Sequence, residues 1–231
     1  FRIIRPFNIK PILLYQRPGF GSPFHEKIKT IRYRSGKYLE NPPIKLRDQD
    51  FRRRQFILYG FTRGNVDSDK NIETIILDKD YRLRVYSASG ELLIKSDEYY
   101  GHDPRPMRVG LSEKWVEMAS EASPQDPVYY RGRLLLEQHD GRRFLTIPKN
   151  HRFGGTLLAR TIVVNSSSLV ILKIGNEGFQ KVLETKRQQG YLAAYQVAGA
   201  SERRKIHIAT VNKRSFGRKT TSTIFTYNWA L

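Results

Sequence analysis

Three stretches of the chain share one local plan, a strand, a tight turn containing glycine and a second strand. This repetition limits the available folds more than any other feature. The stretches are 29–39 (KTIRYRSGKYL), 81–94 (YRLRVYSASGELLI) and 169–183 (LVILKIGNEGFQKVL), turning at Gly36, Gly90 and Gly178. Hairpin loops often need positive φ, which glycine adopts without steric cost. In the second stretch Leu83 and Val85 alternate with Arg82 and Arg84. That period predicts a strand with one buried and one solvated face.

More apolar strands precede the hairpins. Lys10–Tyr15 (KPILLY) stands before the first, Thr74–Leu77 (TIIL) before the second and Phe144–Ile147 (FLTI) before the third. Ile206–Val211 (IHIATV) likewise precedes a last strand, Thr223–Tyr227 (TIFTY). Further strands lead in at Gln55–Phe61 (QFILYGF) and Gly190–Val197 (GYLAAYQV). A lead-in strand, an apolar strand and an amphipathic hairpin make the four-strand plan of a propeller blade. The pattern predicts an all-β chain forming one β-propeller-type domain over 1–231, with about four recognisable blades and the ring left incomplete. The units fall at 8–46, 55–100, 129–187 and 190–231. A β-sandwich with similar hairpins is the competing fold. The segment 101–127 reads as an irregular insertion, in which Ser112–Ser120 (SEKWVEMAS) has the pattern of a short helix capped by Ser112.

Composition narrows the class further. Of the 231 residues 39% are apolar and 12% aromatic, enough for a packed core with a lean towards strands. The longest apolar runs, such as Ile162–Val164 and Leu169–Leu172, are too short to cross a bilayer. Cysteine is absent, which removes disulfides, thiol catalysis and cysteine-ligated zinc. The chain opens at Phe1 without a methionine and reads as a processed product or a piece of something longer. Its formal charge is +19, with clusters at Arg52–Arg54, Arg142–Arg143, Arg203–Lys205, Lys213–Arg214 and Arg218–Lys219. Such a surface attracts polyanions or acidic protein faces, and charge alone does not choose between them.

The stretch 64–101 (GNVDSDKNIETIILDKDYRLRVYSASGELLIKSDEYYG) resembles a blade of the FG-GAP/VCBS repeat family, whose integrin-like propellers carry calcium loops of the form D-x-D-x-D-G-x-x-E. Residues 134–148 and 191–211 resemble the same unit with its acidic loop eroded, and 11–46 resembles the outer part of a preceding blade. The resemblance implies a non-enzymatic, extracytoplasmic module that is periplasmic, outer-surface or secreted. It also implies calcium at one loop. Asn65, Asp67 and Asp69 would supply side-chain oxygens, Asn71 its backbone carbonyl and Glu73 the ninth position. Lys70 departs from the family glycine and opposes a cation, so a metal-free polar turn is the alternative. In the third unit the matching positions are Leu136, Gln138, Asp140 and Phe144, and in the fourth Gly199, Ser201, Arg203 and His207. There Arg203 and Arg204 are expected to fill a cation's place with fixed positive charge.

The five histidines show no metal-ligand spacing, and no carboxylate pair is spaced for acid–base work. Asn165–Ser167 matches a glycosylation sequon. The leading expectation is a binding and scaffolding module, not an enzyme, that docks a protein partner or assembles with copies of itself. Tyr99, Tyr100, Arg105, Arg108, Tyr129, Arg131 and Arg152 are the expected contact residues, because exposed aromatic and arginine side chains supply contact energy. The alternative is a basic nucleic-acid or polyanion-binding protein, motivated by charge beside aromatics. It carries no recognisable nucleic-acid motif.

Overall fold

The computed structural model describes residues 2–4, 11–17, 27–44, 46–47, 57–66, 69, 71–101, 106–107, 128–129, 132–152, 164–175, 177–198, 204–212 and 220–229. Most of these residues are strand, arranged in antiparallel sheets that each run straight along the chain. The first sheet contains β1 (Arg2–Ile4), β2 (Ile12–Tyr15), β3 (Lys29–Arg34) and β4 (Lys37–Glu40). The second contains β5 (Phe61–Gly64), β6 (Glu73–Leu77), β7 (Arg82–Tyr86) and β8 (Leu92–Tyr99). A short pair, β9 (Pro106–Met107) with β10 (Val128–Tyr129), brackets most of the expected insertion. The helix expected at 112–120 lies outside the described residues.

The third sheet contains β11 (Leu135–His139), β12 (Arg142–Arg152), β13 (Val164–Gly175) and β14 (Gly178–Glu184), with β15 (Gln188–Gln189) on the far part of β13. The fourth has three strands, β16 (Tyr191–Ala198), β17 (Arg204–Asn212) and β18 (Thr221–Trp229). Among the described residues no helix is long and apolar enough to cross a membrane.

Local sequence accounts for the hairpins. Ser35–Gly36 and Asp140–Gly141 each place two consecutive residues at positive φ, the mirror-image turn whose twist matches the strands it joins. One sequence expectation is corrected here. The apolar run 55–61 predicts a lead-in strand, yet Leu58–Gly60 is a single 3₁₀ turn and the strand begins at Phe61. Leu58 within that turn and Ile57 and Phe61 on either side of it are buried, so the run reports burial, not extension.

The sheets pack face to face in chain order, and side-chain alternation distributes each strand between two cores. Ile75, Leu77, Leu83 and Val85 point from the second sheet towards Leu145, Ile147, Val170 and Leu172 of the third. Ile76 and Tyr86, one residue out of phase, meet Leu14 and Ile28 of the first. In the third sheet Phe144, Leu169 and Ile171 turn the other way, onto Leu192, Ile206, Ile208 and Trp229 of the fourth. The second and third sheets are therefore buried on both faces, which explains why β6 is buried at every position. Strand order is kept through the stack: β5 lies against β11, and β8 against β14.

Burial on both faces overturns the expected wet face of β7. Arg84 is only 4% exposed. Its Nε donates to Asp78 Oδ2 at 2.7 Å, and Asp78 Oδ1 accepts from the backbone N–H groups of Asp80 and Arg82. Burial works to depress the Arg84 pKa, but the hydrogen bond and charge of Asp78 prevail and hold it above its ordinary value.

Candidate functional site

The loop between β5 and β6 is the segment the sequence marks for cation chemistry. Asp67 and Lys70 lie outside the described residues, and the other four expected donors are placed. Glu73 opens β6, is 1% exposed, and accepts from the backbone N–H of Val66 at 2.8 Å. Asn71 donates its backbone N–H to Asp69 Oδ1 at 2.7 Å and its side-chain amide to Asp69 Oδ2. Asn65 donates from Nδ2 to the backbone carbonyl of Asn71 at 3.1 Å. The described residues of the loop are thus held by hydrogen bonds within the chain. Among the described residues no group of three or more histidine, cysteine or acidic side chains is placed to hold a metal.

A guanidinium from the third sheet closes the loop. Arg143, in β12, donates from Nε to the backbone carbonyl of Asn65 at 2.9 Å and from Nη2 to Asn65 Oδ1 at 3.3 Å. Its Nη1 donates to the carbonyl of Gly141 at 2.6 Å. At 9% exposure the guanidinium is largely withdrawn from water, and carbonyl oxygens satisfy it. Nearby, Gly64 leaves the space that the end of the Leu136 side chain fills, so a side chain at 64 would require Leu136 to shift. Burial pulls the Arg63 pKa down, while the charge of Glu73 opposes that shift.

The next interface has a related arrangement. Arg204, at the start of β17, places Nη1 3.4 Å from Glu137 Oε1 in β11 and stands over the Trp229 ring. Arg143 and Arg204 thus each reach from the second strand of one sheet to the first strand, or its end, in the sheet before. Arg203 lies outside the described residues. Burial raises the Glu137 pKa, and the charge of Arg204 opposes that shift. Phe144, where the family pattern has glutamate, packs edge-on against Trp229. His207 faces away from that core and shares a 3.0 Å hydrogen bond with Thr226.

A second polar cluster, which sequence spacing does not reveal, joins β8 to the third sheet. Lys149 Nζ lies 2.6 Å from Glu98 Oε2. Ser168 donates to Glu184 Oε1 at 2.9 Å, Lys181 lies 3.0 Å from Glu184 Oε2, and His151 Nε2 lies 3.1 Å from Ser168 Oγ. Lys149 holds the Glu98 carboxyl below its ordinary range. Burial tends to raise Glu184, and hydrogen bonds from Lys181 and Ser168 outweigh it, leaving the net shift downward. Burial pushes His151 down, with the charge of Arg187 adding to the effect. Although Ser168 touches both a histidine and a glutamate, it lies between them and is 1% exposed. This is not the serine–base–acid order of a nucleophilic triad. Two carboxylates favoured in the ionised form and two ammonium groups make an electrostatic clamp between sheets.

The expected contact residues separate. Tyr99 is 48% exposed, with the Arg82 guanidinium over its ring and Nη2 of Arg82 donating to its hydroxyl at 3.0 Å. Tyr100 is 3% exposed and belongs to the core between the second and third sheets, so its expected role as surface contact is corrected. Burial there pushes the Tyr100 phenol up from its ordinary pKa. Adjacent residues of an extended chain point to opposite sides, so one tyrosine of the pair turns inward. Arg105, Arg108 and Arg131 lie outside the described residues. Tyr129 and Arg152 are placed by backbone alone, in β10 and β12. No protein-family model, curated protein or solved structure matches the chain.

Truncation of Arg143 to alanine is expected to cost about 2 kcal/mol of stability, because buried carbonyls lose their donors. Arg143→Lys should recover little of it, as an ammonium cannot reproduce the fork. A chelator should leave the melting temperature unchanged, and a calcium-dependent rise would contradict that expectation.

The clamp sets an acid limit. The folded-state pKa values of Glu98 and Glu184 are lowered, so their stabilisation is complete above the unfolded carboxylate value of about 4.3. It is lost as pH falls through the folded values. Combining Glu98→Gln with Glu184→Gln should lower the denaturant midpoint at neutral pH. The variant and parent curves should converge in acid.

Proposed function

We propose that the chain is a non-enzymatic binding and scaffolding module of propeller type, related to the FG-GAP/VCBS repeats, that docks a protein partner outside the cytoplasm. The observation that carries this reading is the stack of successive antiparallel sheets, the first two of four strands, the third of four with β15 added and the fourth of three. Each unit runs straight through its sheet, and the sheets lie face to face with β5 against β11 and β8 against β14. Propeller blades pack in this manner around an axis. In this reading the described sheets are an arc of blades whose two outer faces belong to further blades or a partner. The loop at 65–73 holds its place through Arg143 in place of calcium.

The polar clusters support a scaffold because both serve contacts between sheets. The +19 charge would speed approach to an acidic protein or envelope surface and orient the encounter, while apolar contacts supply affinity. Binding to DNA, RNA and a heparin-like polymer should be measurable at low salt and weak at about 150 mM. Tight, sequence-selective binding to one nucleic acid at that salt would overturn the scaffold reading.

The curvature of the stack has its own test. The chain has no cysteine, so pairs of spin labels can be introduced at exposed Tyr38, Leu93, Val182 and Ile224. On an arc, the Tyr38–Ile224 separation falls well short of the sum of the three successive steps. A separation equal to that sum describes a flat stack and excludes the propeller.

A further inference from the structure

The outer edges of the sheets are not protected alike. In the first three sheets the last strand carries charges that discourage further pairing: Lys37 and Glu40 in β4, Lys95, Asp97 and Glu98 in β8, Lys181 and Glu184 in β14. Register shifts also interrupt the pairing of β8 and β14 with their neighbours. Charge and irregularity are the usual means by which edge strands avoid unwanted partners.

The edge of the fourth sheet has neither protection. β18 reads TSTIFTYNW, nine residues without a charge, proline or glycine. It pairs with β17 from Arg204–Trp229 through Asn212–Thr221 with no register shift. Among the described residues no strand pairs with its other side. Ile224 is 72% exposed, and Thr221–Thr223 are exposed as well. Phe225 and Tyr227 are half-buried on the face shared with the third sheet, and β18 stands where the other sheets continue to a fourth strand.

We infer that the free edge of β18 is a strand-acceptor site, which takes up an extended segment of a partner polypeptide as the fourth strand of its sheet. Main-chain hydrogen bonds would provide the attachment, and alternate side chains the selectivity. On the inner face the added strand needs apolar side chains that continue the cover over Phe225 and Tyr227. The fourth strands already present show the rest of the chemistry. Two of them carry a glutamate engaged by a base from elsewhere in the chain, Glu40 by Lys29 and Arg17 and Glu98 by Lys149, while Glu184 of β14 pairs with Lys181 of its own strand. Against a chain of net charge +19 the added segment is therefore acidic, with apolar residues at alternate positions. Charge disfavours a second copy of this chain as the occupant.

This inference rests on the scaffold reading for its biological sense, but its test does not depend on the stack being curved or on nucleic-acid binding. The probe is a fluorescently labelled peptide of residues 92–99 (LLIKSDEY), the chain's own example of an acidic fourth strand. It is titrated against the full chain while amide hydrogen exchange is followed along β18. Saturable binding that slows exchange in Thr221–Trp229 is expected. Ile224→Glu in the chain, or Asp97→Lys with Glu98→Lys in the peptide, should weaken binding about tenfold or more. Ile224 is exposed, so its substitution should leave exchange in β6 and β7 unchanged, which controls for folding. The inference fails if the peptide does not bind or if Ile224→Glu binds it equally well. It also fails if the β18 amides that face away from β17 are already protected in the lone monomer, or if sedimentation shows copies pairing through that strand.

Discussion

Burial of both faces of the second and third sheets is the constraint from which the rest of the structure follows. A strand with one wet face needs apolar residues only at alternate positions, whereas β6 is buried throughout and serves two cores. A polar group buried on such a sheet costs free energy unless it finds a partner inside the protein. The Asp78–Arg84 pair, the Arg143 fork and the cluster around Glu184 are three solutions to that one demand. They lie where side chains on one sheet face backbone or charge on the same sheet or its neighbour.

The sequence was legible where the determinants are local. Gly36, Gly90 and Gly178 mark their hairpins because turn geometry is settled within a few residues, and the described strands fall around them. Apolar alternation located β12, β13 and β17 for the same reason. It was misleading at 55–61, where a run of apolar residues records a buried turn as readily as a strand. It could not show that Arg84 is buried, since that depends on a sheet whose strands lie far earlier in the chain. Tyr100 misleads similarly: the pair 99–100 looks like contact surface until the third sheet covers one ring.

The candidate site was half legible. Oxygen-bearing residues at 65, 69, 71 and 73 mark a polar loop, and there Asn65 bonds Asn71 and Asn71 bonds Asp69. What secures it is 78 residues away in sequence, on another sheet, and no local pattern announces it. The only sequence signal at that end is an arginine two residues after the turn glycine at 141, a position with no fixed meaning by itself. The clamp at Glu98 was hidden for a further reason. Its members come from β8, β12, β13 and β14, and only the folding of the long third sheet brings them within reach of one another.

The Asp78–Arg84 pair gives the stack a direction. It lies on the side of the second sheet that faces Leu14 and Ile28, whereas the opposite side presents Ile75, Leu77, Leu83 and Val85. Water reaching the first side would find two ions to hydrate, and that gain offsets part of the loss of apolar contact. The second side is covered by the larger apolar core and is tied to the third sheet by the Arg143 fork and the Glu98–Lys149 pair as well. Partial opening should therefore begin with the first sheet peeling away, leaving the second and third together as the last cooperative block to melt.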